Sequence, residues 1–224
     1  MNFLSHFYNE TPCEDPYFAA GVILPDILSN YSGRSGELVK LHPNKLADSR
    51  LPQINSLING VKRHYAVDEY FHGSQFFQKN TAEISLEIKK RDFKCFDKRL
   101  YAVSHVFLEL MLDRKLLIQE KWSCDLMYFL LDKVDLSFIN QFIRDNTGAS
   151  DPSKPAQFFN RFRTIKFVYD YTDDSRLGEL INSINQRLGN PPFQNEDKSQ
   201  FTLTIHDIEN IILPQKFPKF PTDS

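Results

Sequence analysis

The run Gly60-Val61-Lys62-Arg63-His64-Tyr65-Ala66-Val67-Asp68-Glu69-Tyr70-Phe71-His72 decides how the chain is read. In an α-helix every fourth residue advances about 40° beyond a full turn, so His64, Asp68 and His72, at i, i+4 and i+8, share one face. Val61, Tyr65, Val67 and Phe71 occupy the remaining arc, which predicts a helix buried over most of its circumference. Two imidazoles and a carboxylate on such a helix need partners, because polar groups removed from water cost free energy unless they are hydrogen-bonded or hold a metal.

The same pattern returns downstream. His105, Glu109 and Asp113 stand at i, i+4 and i+8 among Val103, Val106, Phe107, Leu108, Leu110, Met111 and Leu112, in a helix predicted from about Asp97 to Glu120. Upstream, Phe3, Leu4 and Phe7 have one-face spacing, so residues 2–9 read as a short helix carrying His6 and ended by Thr11-Pro12. The apolar segment 15–30 holds one interior carboxylate, Asp26, directly after Pro25, a residue expected to kink or restart the helix there.

Residues 31–48, with Gly33, Gly36, His42 and Pro43, predict an irregular surface loop of the kind that forms lids or binding edges. A helix from about Leu51 to Gln78 follows, with Gly60 as its candidate break, and then a charged stretch over 80–99. Helical periodicity recurs over 123–145, 155–171, 174–188 and 204–213, without a comparable polar cluster and punctuated by Asp151-Pro152-Ser153 and Asn190-Pro191-Pro192. There is no alternating strand pattern, internal repeat or low-complexity tract. The expectation is an all-α, single-domain helical bundle over residues 1–224.

Composition agrees and narrows the function classes. Hydrophobic residues are 41% and aromatics 13%, with 20 Phe against 8 Gly, which suits a packed helical protein and excludes a wholly disordered chain. A net charge of -2 supplies no basic excess for nucleic acid or anionic membrane. No apolar run approaches the roughly 20 residues of a membrane span, and no signal peptide is visible. Cys13, Cys95 and Cys124 are widely spaced and odd in number, which fits a reducing cytoplasm better than a disulfide framework or zinc ribbon. No sequence signal sets an oligomeric state.

Pooling the polar residues on apolar helices gives His6, Asp26, His64, Asp68, His72, His105 and Glu109, with Asp113 as a further member. Mixed imidazole and carboxylate donors suit divalent manganese, iron, zinc or nickel, and argue against a thiolate site or an all-oxygen calcium site. Helical bundles commonly present such ligands one turn apart, and the matching reaction class is phosphoester hydrolysis, in which the ion acts as a Lewis acid and lowers the pKa of water. The competing reading is a non-catalytic helical binding protein with a buried hydrogen-bonded network or a structural metal. His42 and His206 read as surface or capping residues, and Asp113 beside Arg114 reads equally as the end of its ladder in an ion pair. No nucleophile elbow, P-loop or dinucleotide fingerprint occurs.

Four motifs in order, Met1-Asn2-Phe3-Leu4-Ser5-His6, the Gly21–Asp26 segment ending in Leu-Pro-Asp, Gly60-Val61-Lys62-x-His64-x-x-x-Asp68 and Val106-Phe107-Leu108-Glu109-Leu110-Met111-Leu112-Asp113-Arg114, resemble the acyl carrier protein phosphodiesterases. The resemblance covers about residues 1–120. It implies an all-helical, HD-domain-like metal-dependent phosphohydrolase. Such an enzyme uses a divalent ion, typically manganese, to remove the 4′-phosphopantetheine arm from acyl carrier protein. It also implies that His6, Asp26, His64 and Asp68 are site positions, with Asp26, His64 and Asp68 in catalytic roles. The acidic carrier would meet Lys89, Lys90, Arg91, Lys94, Lys98 and Arg99, or Lys62 and Arg63, residues that otherwise read as a solvated charged face. The chain departs from the family pattern at His72, where an acidic residue is usual, and at His105 and Glu109, where Asp is commoner. The Leu-Pro-Asp and His-x-x-x-Asp motifs are also distantly similar to those of the helical zinc-dependent phospholipase C proteins.

Overall fold

A computed structural model describes residues 1–91, 93–96 and 99–220, and every regular element among them is helical. The elements are α1 (Phe3–Asn9), α2 (Pro16–Ser35), α3 (Pro52–Gly73), α4 (Gln75–Lys89), α5 (Leu100–Gln119), α6 (Lys121–Asp132), α7 (Leu136–Asn146), α8 (Ser153–Ile165), α9 (Asp174–Arg187) and α10 (Asn195–Ile212). Short 3-10 turns lie at Pro43–Lys45 and Phe167–Thr172. No helix among the described residues is long and apolar enough to cross a membrane.

The chain divides into two compact units, each discontinuous in sequence. One is built from 6–69 and 122–167, the other from 1–5, 70–121 and 168–220. In the first, α2 packs on α8 and α8 on α7, around fully buried Ile23, Leu24, Ile27, Leu57, Val61, Tyr128, Phe142 and Phe159. In the second, α10 packs on α4, α5 and α9 around Phe107, Met111, Ile181, Phe201 and Ile205, with the Phe107 and Phe201 rings stacked 5.1 Å apart. Arg114 and Lys115, both buried on α5, find their partners within this unit. Arg114 reaches Glu209 at 2.6 Å and Asp174 at 2.7 Å, while Lys115 donates to the backbone carbonyls of Ile212, Leu213 and Gln215, satisfying acceptors left over at the end of α10.

Helix boundaries follow local chemistry. Asp15 accepts hydrogen bonds from the Tyr17 and Phe18 amides with Pro16 in the first turn, so α2 starts there. It then runs without restarting through Pro25 to Ser35, and Gly36 ends it at φ 75°, a left-handed conformation that glycine adopts without strain. The irregular segment is therefore shorter than the 31–48 expected. It is also pinned: Val39 and Leu41 are buried, Ser32 Oγ bonds both backbone groups of Val39, and the Tyr65 hydroxyl donates to the Leu41 carbonyl. The expected 51–78 helix breaks at Gly73, where Ser74 caps α4, and not at Gly60. Asp135 splits the 123–145 stretch into α6 and α7. Lys166, at φ 57°, ends α8 before the second 3-10 turn, and α10 begins nine residues ahead of the expected 204 because Gln194 and Asp197 form a capping box. The helix start expected at Asp97 lies outside the described residues.

Gly60 has another role. A Cβ at Gly60 would press into the Phe18 carbonyl oxygen and stand 2.8 Å from Gly21 Cα, and one at Gly21 would press into the Leu57 carbonyl oxygen and stand 3.0 Å from Gly60 Cα. The two glycines therefore let α2 and α3 touch backbone to backbone. Substituting Gly21 or Gly60 with alanine is expected to destabilise the protein by roughly 2–4 kcal/mol, since rigid backbone must move on both sides. Gly73→Ala, where the added methyl meets open space, is the control expected to be neutral or slightly stabilising. Urea denaturation of the three variants measures the contrast.

Candidate metal centre

The close approach of α2 and α3 brings Asp26 and His64 together, and His6 on α1 joins them. One ligand atom from each of His6, Asp26 and His64 lies within 4.8 Å of the others. His6 Nε2 is 3.9 Å from Asp26 Oδ2 and 3.7 Å from Asp68 Oδ1, and His64 Nε2 is 3.9 Å from Asp26 Oδ1. The imidazoles of His6 and His64 stack with centroids 3.9 Å apart. Both are buried, at 1% and 4% exposure, whereas Asp26 and Asp68 are 23% and 31% exposed, so the carboxylates face the solvent side of the cluster.

His64 is prepared as a ligand. Its burial, and then the neighbouring His6 imidazole, push its pKa well below the ordinary histidine value, outweighing the pull of Asp68 and of the Val22 carbonyl. The ring is therefore neutral and carries one N–H. Nδ1 lies 2.7 Å from the Val22 carbonyl oxygen, which can only accept, so the hydrogen sits on Nδ1 and the Nε2 lone pair faces Asp26. Orientation of a ligating imidazole by a backbone carbonyl is the usual outer support of a metal-binding histidine. The 3.7–3.9 Å spacings exceed hydrogen-bond length. Donors about 2.1 Å from an ion at a tetrahedral angle stand about 3.4 Å apart, so an ion would draw the three ligand atoms, which lie within 4.8 Å of one another, inward.

His72, His105 and Glu109 meet in a second cluster, in the other unit. His72 Nε2 and His105 Nε2 are 2.9 Å apart, and they lie 3.3 Å and 2.9 Å from Glu109 Oε1. The Met1 amino group is 2.9 Å from the same oxygen. Burial raises the Glu109 pKa, but the Met1 ammonium and the hydrogen bonds from His105 and His72 outweigh it and hold the carboxyl well below its ordinary range. Of the seven residues expected at one site, four thus gather around Asp26 and three around Glu109.

The remaining expectations are met unevenly. Asp113 does not pair with Arg114. It accepts from the Leu4 amide at 3.2 Å, the Ser5 amide at 2.7 Å and the Ser5 hydroxyl at 2.6 Å, and so caps the first turn of α1 from α5. His206, half exposed, contacts Asp174 and Glu209, which makes the late helices part of a polar cluster that periodicity did not flag. His42 is exposed ahead of the first 3-10 turn and makes no capping bond. Among the basic residues, Arg63 pairs with Glu10 and Arg91 with Asp207, while Lys62, Lys89 and Lys90 are exposed; Lys98 lies outside the described residues. The Val22 carbonyl and the two glycines had no signal in side-chain periodicity, because their contribution is made by backbone.

No protein-family model, curated protein or solved structure matches the chain.

Asp113 offers a pH readout. Its burial pushes the carboxyl up to about 7, against the three donors from Leu4 and Ser5 that favour the charged form. The folded state then holds a proton that the unfolded state releases between the ordinary carboxylate range and pH 7, so the contribution is complete below the unfolded pKa and lost as pH rises through about 7. Denaturation with chelator present should show the stability of wild type relative to Asp113→Asn falling from pH 5 to pH 8, a comparison that removes the opposite slope contributed by His64, whose pKa is lowered in the fold.

Proposed function

We propose that the chain is a divalent-metal-dependent phosphodiesterase, similar in activity to acyl carrier protein phosphodiesterase, with its ion held by His6, Asp26 and His64. The convergence of those three ligand atoms, with Nδ1 of His64 engaged by the Val22 carbonyl, carries the reading. Two imidazoles and a carboxylate fit manganese, iron, zinc or nickel. When bound, the ion supplies Lewis acidity at a phosphoryl oxygen and lowers the pKa of water.

The protein's own groups divide the remaining work. Buried His6 and His64 form the floor and exclude bulk water from one side. Asp26 bridges between them, 3.9 Å from each Nε2. Asp68, partly exposed and 3.7 Å from His6 Nε2, is placed to accept a proton from the attacking water and return it to the leaving oxygen as the P–O bond breaks. That assignment is consistent with its place on α3 one turn beyond His64.

The substrate class rests on the ordered motifs resembling the carrier-protein enzymes. Under this reading a 4′-phosphopantetheine diester is cut from an acidic carrier in the cytoplasm. The buried thiols of Cys13, Cys95 and Cys124 are compatible with a reducing compartment.

Incubation of the purified chain with manganese and holo acyl carrier protein, followed by detection of released phosphopantetheine, tests the substrate, and bis(p-nitrophenyl) phosphate tests the reaction class. His64→Gln and Asp26→Asn are expected to lower metal uptake and to cut turnover by at least about 100-fold while the fold persists. Asp68→Asn is expected to reduce turnover by about 100-fold with metal uptake largely retained. A folded, metal-loaded protein that cleaves neither diester would overturn the reading.

A further inference from the structure

We propose that His72, His105 and Glu109 form a second metal site, for an octahedral divalent first-row ion such as manganese, iron or nickel, separate from the centre at Asp26. The inference stands on its own geometry and does not require the phosphodiesterase reading to be correct.

Three atoms lie at the corners of a nearly equilateral triangle with edges of 2.9, 3.3 and 2.9 Å. Hydrogen bonds cannot serve all three edges. Each imidazole Nε2 has one in-plane direction, occupied by either a hydrogen or a lone pair. If both nitrogens donate to Glu109 Oε1, the 2.9 Å nitrogen–nitrogen edge brings two donors side by side. If one donates to the other, one edge to the carboxylate is left without a hydrogen. A single cation in front of the triangle, taking the place on Glu109 Oε1 that the Met1 ammonium holds at 2.9 Å, serves all three atoms with lone pairs alone. Donors at about 2.1 Å from an ion and at right angles to one another stand about 3.0 Å apart, close to the observed edges.

The rest of the cluster fits that use. His105 and Glu109 are one turn apart on α5, and His72 comes from the last turn of α3, so the donors are carried by two rigid helices. Phe77, buried at 3% exposure, places its ring 4.8 Å from each of the two imidazoles at 89° and 83°, which holds both ring planes and walls off one side. The other side is open: His72 and His105 side chains are 31% and 30% exposed and Glu109 is 14% exposed. Two imidazoles and one carboxylate on one face, with the opposite face reachable by water or a small ligand, match the facial donor set of octahedral ions better than a closed tetrahedral zinc site.

The probe is manganese(II) or nickel(II) alone, added to the chelator-treated full chain, with uptake read by calorimetry and elemental analysis and the fold by circular dichroism. Wild type is expected to take up about two ions per chain, and His105→Gln, Glu109→Gln and His64→Gln about one each, as independent sites require. The His64→Gln/His105→Gln double variant should take up none. Glu109→Gln keeps the shape of the side chain, so a folded readout survives if a histidine substitution proves too disruptive. Folded His105→Gln and Glu109→Gln proteins with uptake equal to wild type would overturn the second site and make the triangle a hydrogen-bonded network. Loss of uptake in His64→Gln alone would speak only to the first centre, and inactivity toward diesters would leave the second site standing.

Discussion

The contact between Gly21 and Gly60 is the constraint on which the first centre depends. Any side chain at either position would collide with a main-chain carbonyl of the facing helix, so the two residues allow an approach that no rotamer change could provide. The approach has a direct chemical consequence. Val22, next to Gly21, presents its carbonyl to His64 Nδ1 only because α3 lies that close, and that bond places the imidazole lone pair on Nε2. Pro25 extends the same logic one turn further. It cannot donate its own amide, yet α2 continues through it and carries Asp26 to the face that meets His6 and His64. Packing, tautomer and ligand placement in this unit are therefore consequences of one glycine pair.

The two clusters use similar residues in different ways. Around Asp26 the separations are 3.7–3.9 Å and the imidazoles are almost wholly buried, so the charge that balances an ion is carried by carboxylates nearer the solvent. Around Glu109 the separations are 2.9–3.3 Å, the carboxylate is the less exposed partner, and the imidazoles are the ones open to water. Burial lowers the basicity of His64, whereas Glu109 stays ionised through the cations and donors that face it. These are opposite solutions to the cost of burying ionisable groups: one keeps the buried histidine neutral, the other surrounds a buried anion with donors.

The helical class and most helix positions were legible from 3.6-residue periodicity, and the seven polar side chains picked from apolar helices, five on the two ladders together with His6 and Asp26, fall into two groups of near neighbours. Their partition was not legible. Positions i and i+4 stand one turn apart, but i and i+8 are about 12 Å apart along a helix axis, beyond shared ligation of one ion. A ladder of three therefore has to find more than one set of partners, and those partners come from α1, α2 and α5, far away in sequence. Boundaries failed for a different reason. Ser74, Asp135 and Gln194 set them by capping, a local hydrogen-bond choice that apolar periodicity does not register.

The α5 ladder shows what spacing can and cannot specify. His105, Glu109 and Asp113 follow one another at single-turn intervals, yet the first two face His72 while Asp113 receives the amides of Leu4 and Ser5. Nothing in the residue types separates these roles, since an aspartate and a glutamate differ by one methylene and both suit a metal. The difference lies in what each turn meets: an imidazole, whose nitrogen can share an ion, or the unsatisfied donors of a short helix, which hydrogen-bond a carboxyl without one. Asp113 is drawn to the first turn of α1 by three hydrogen bonds, two of them from amides that have no lone pair to share with a cation, and so it stands apart from the ligand set. Face-sharing in a sequence thus nominates ligands, and the donors on the opposing element decide which nominations become sites.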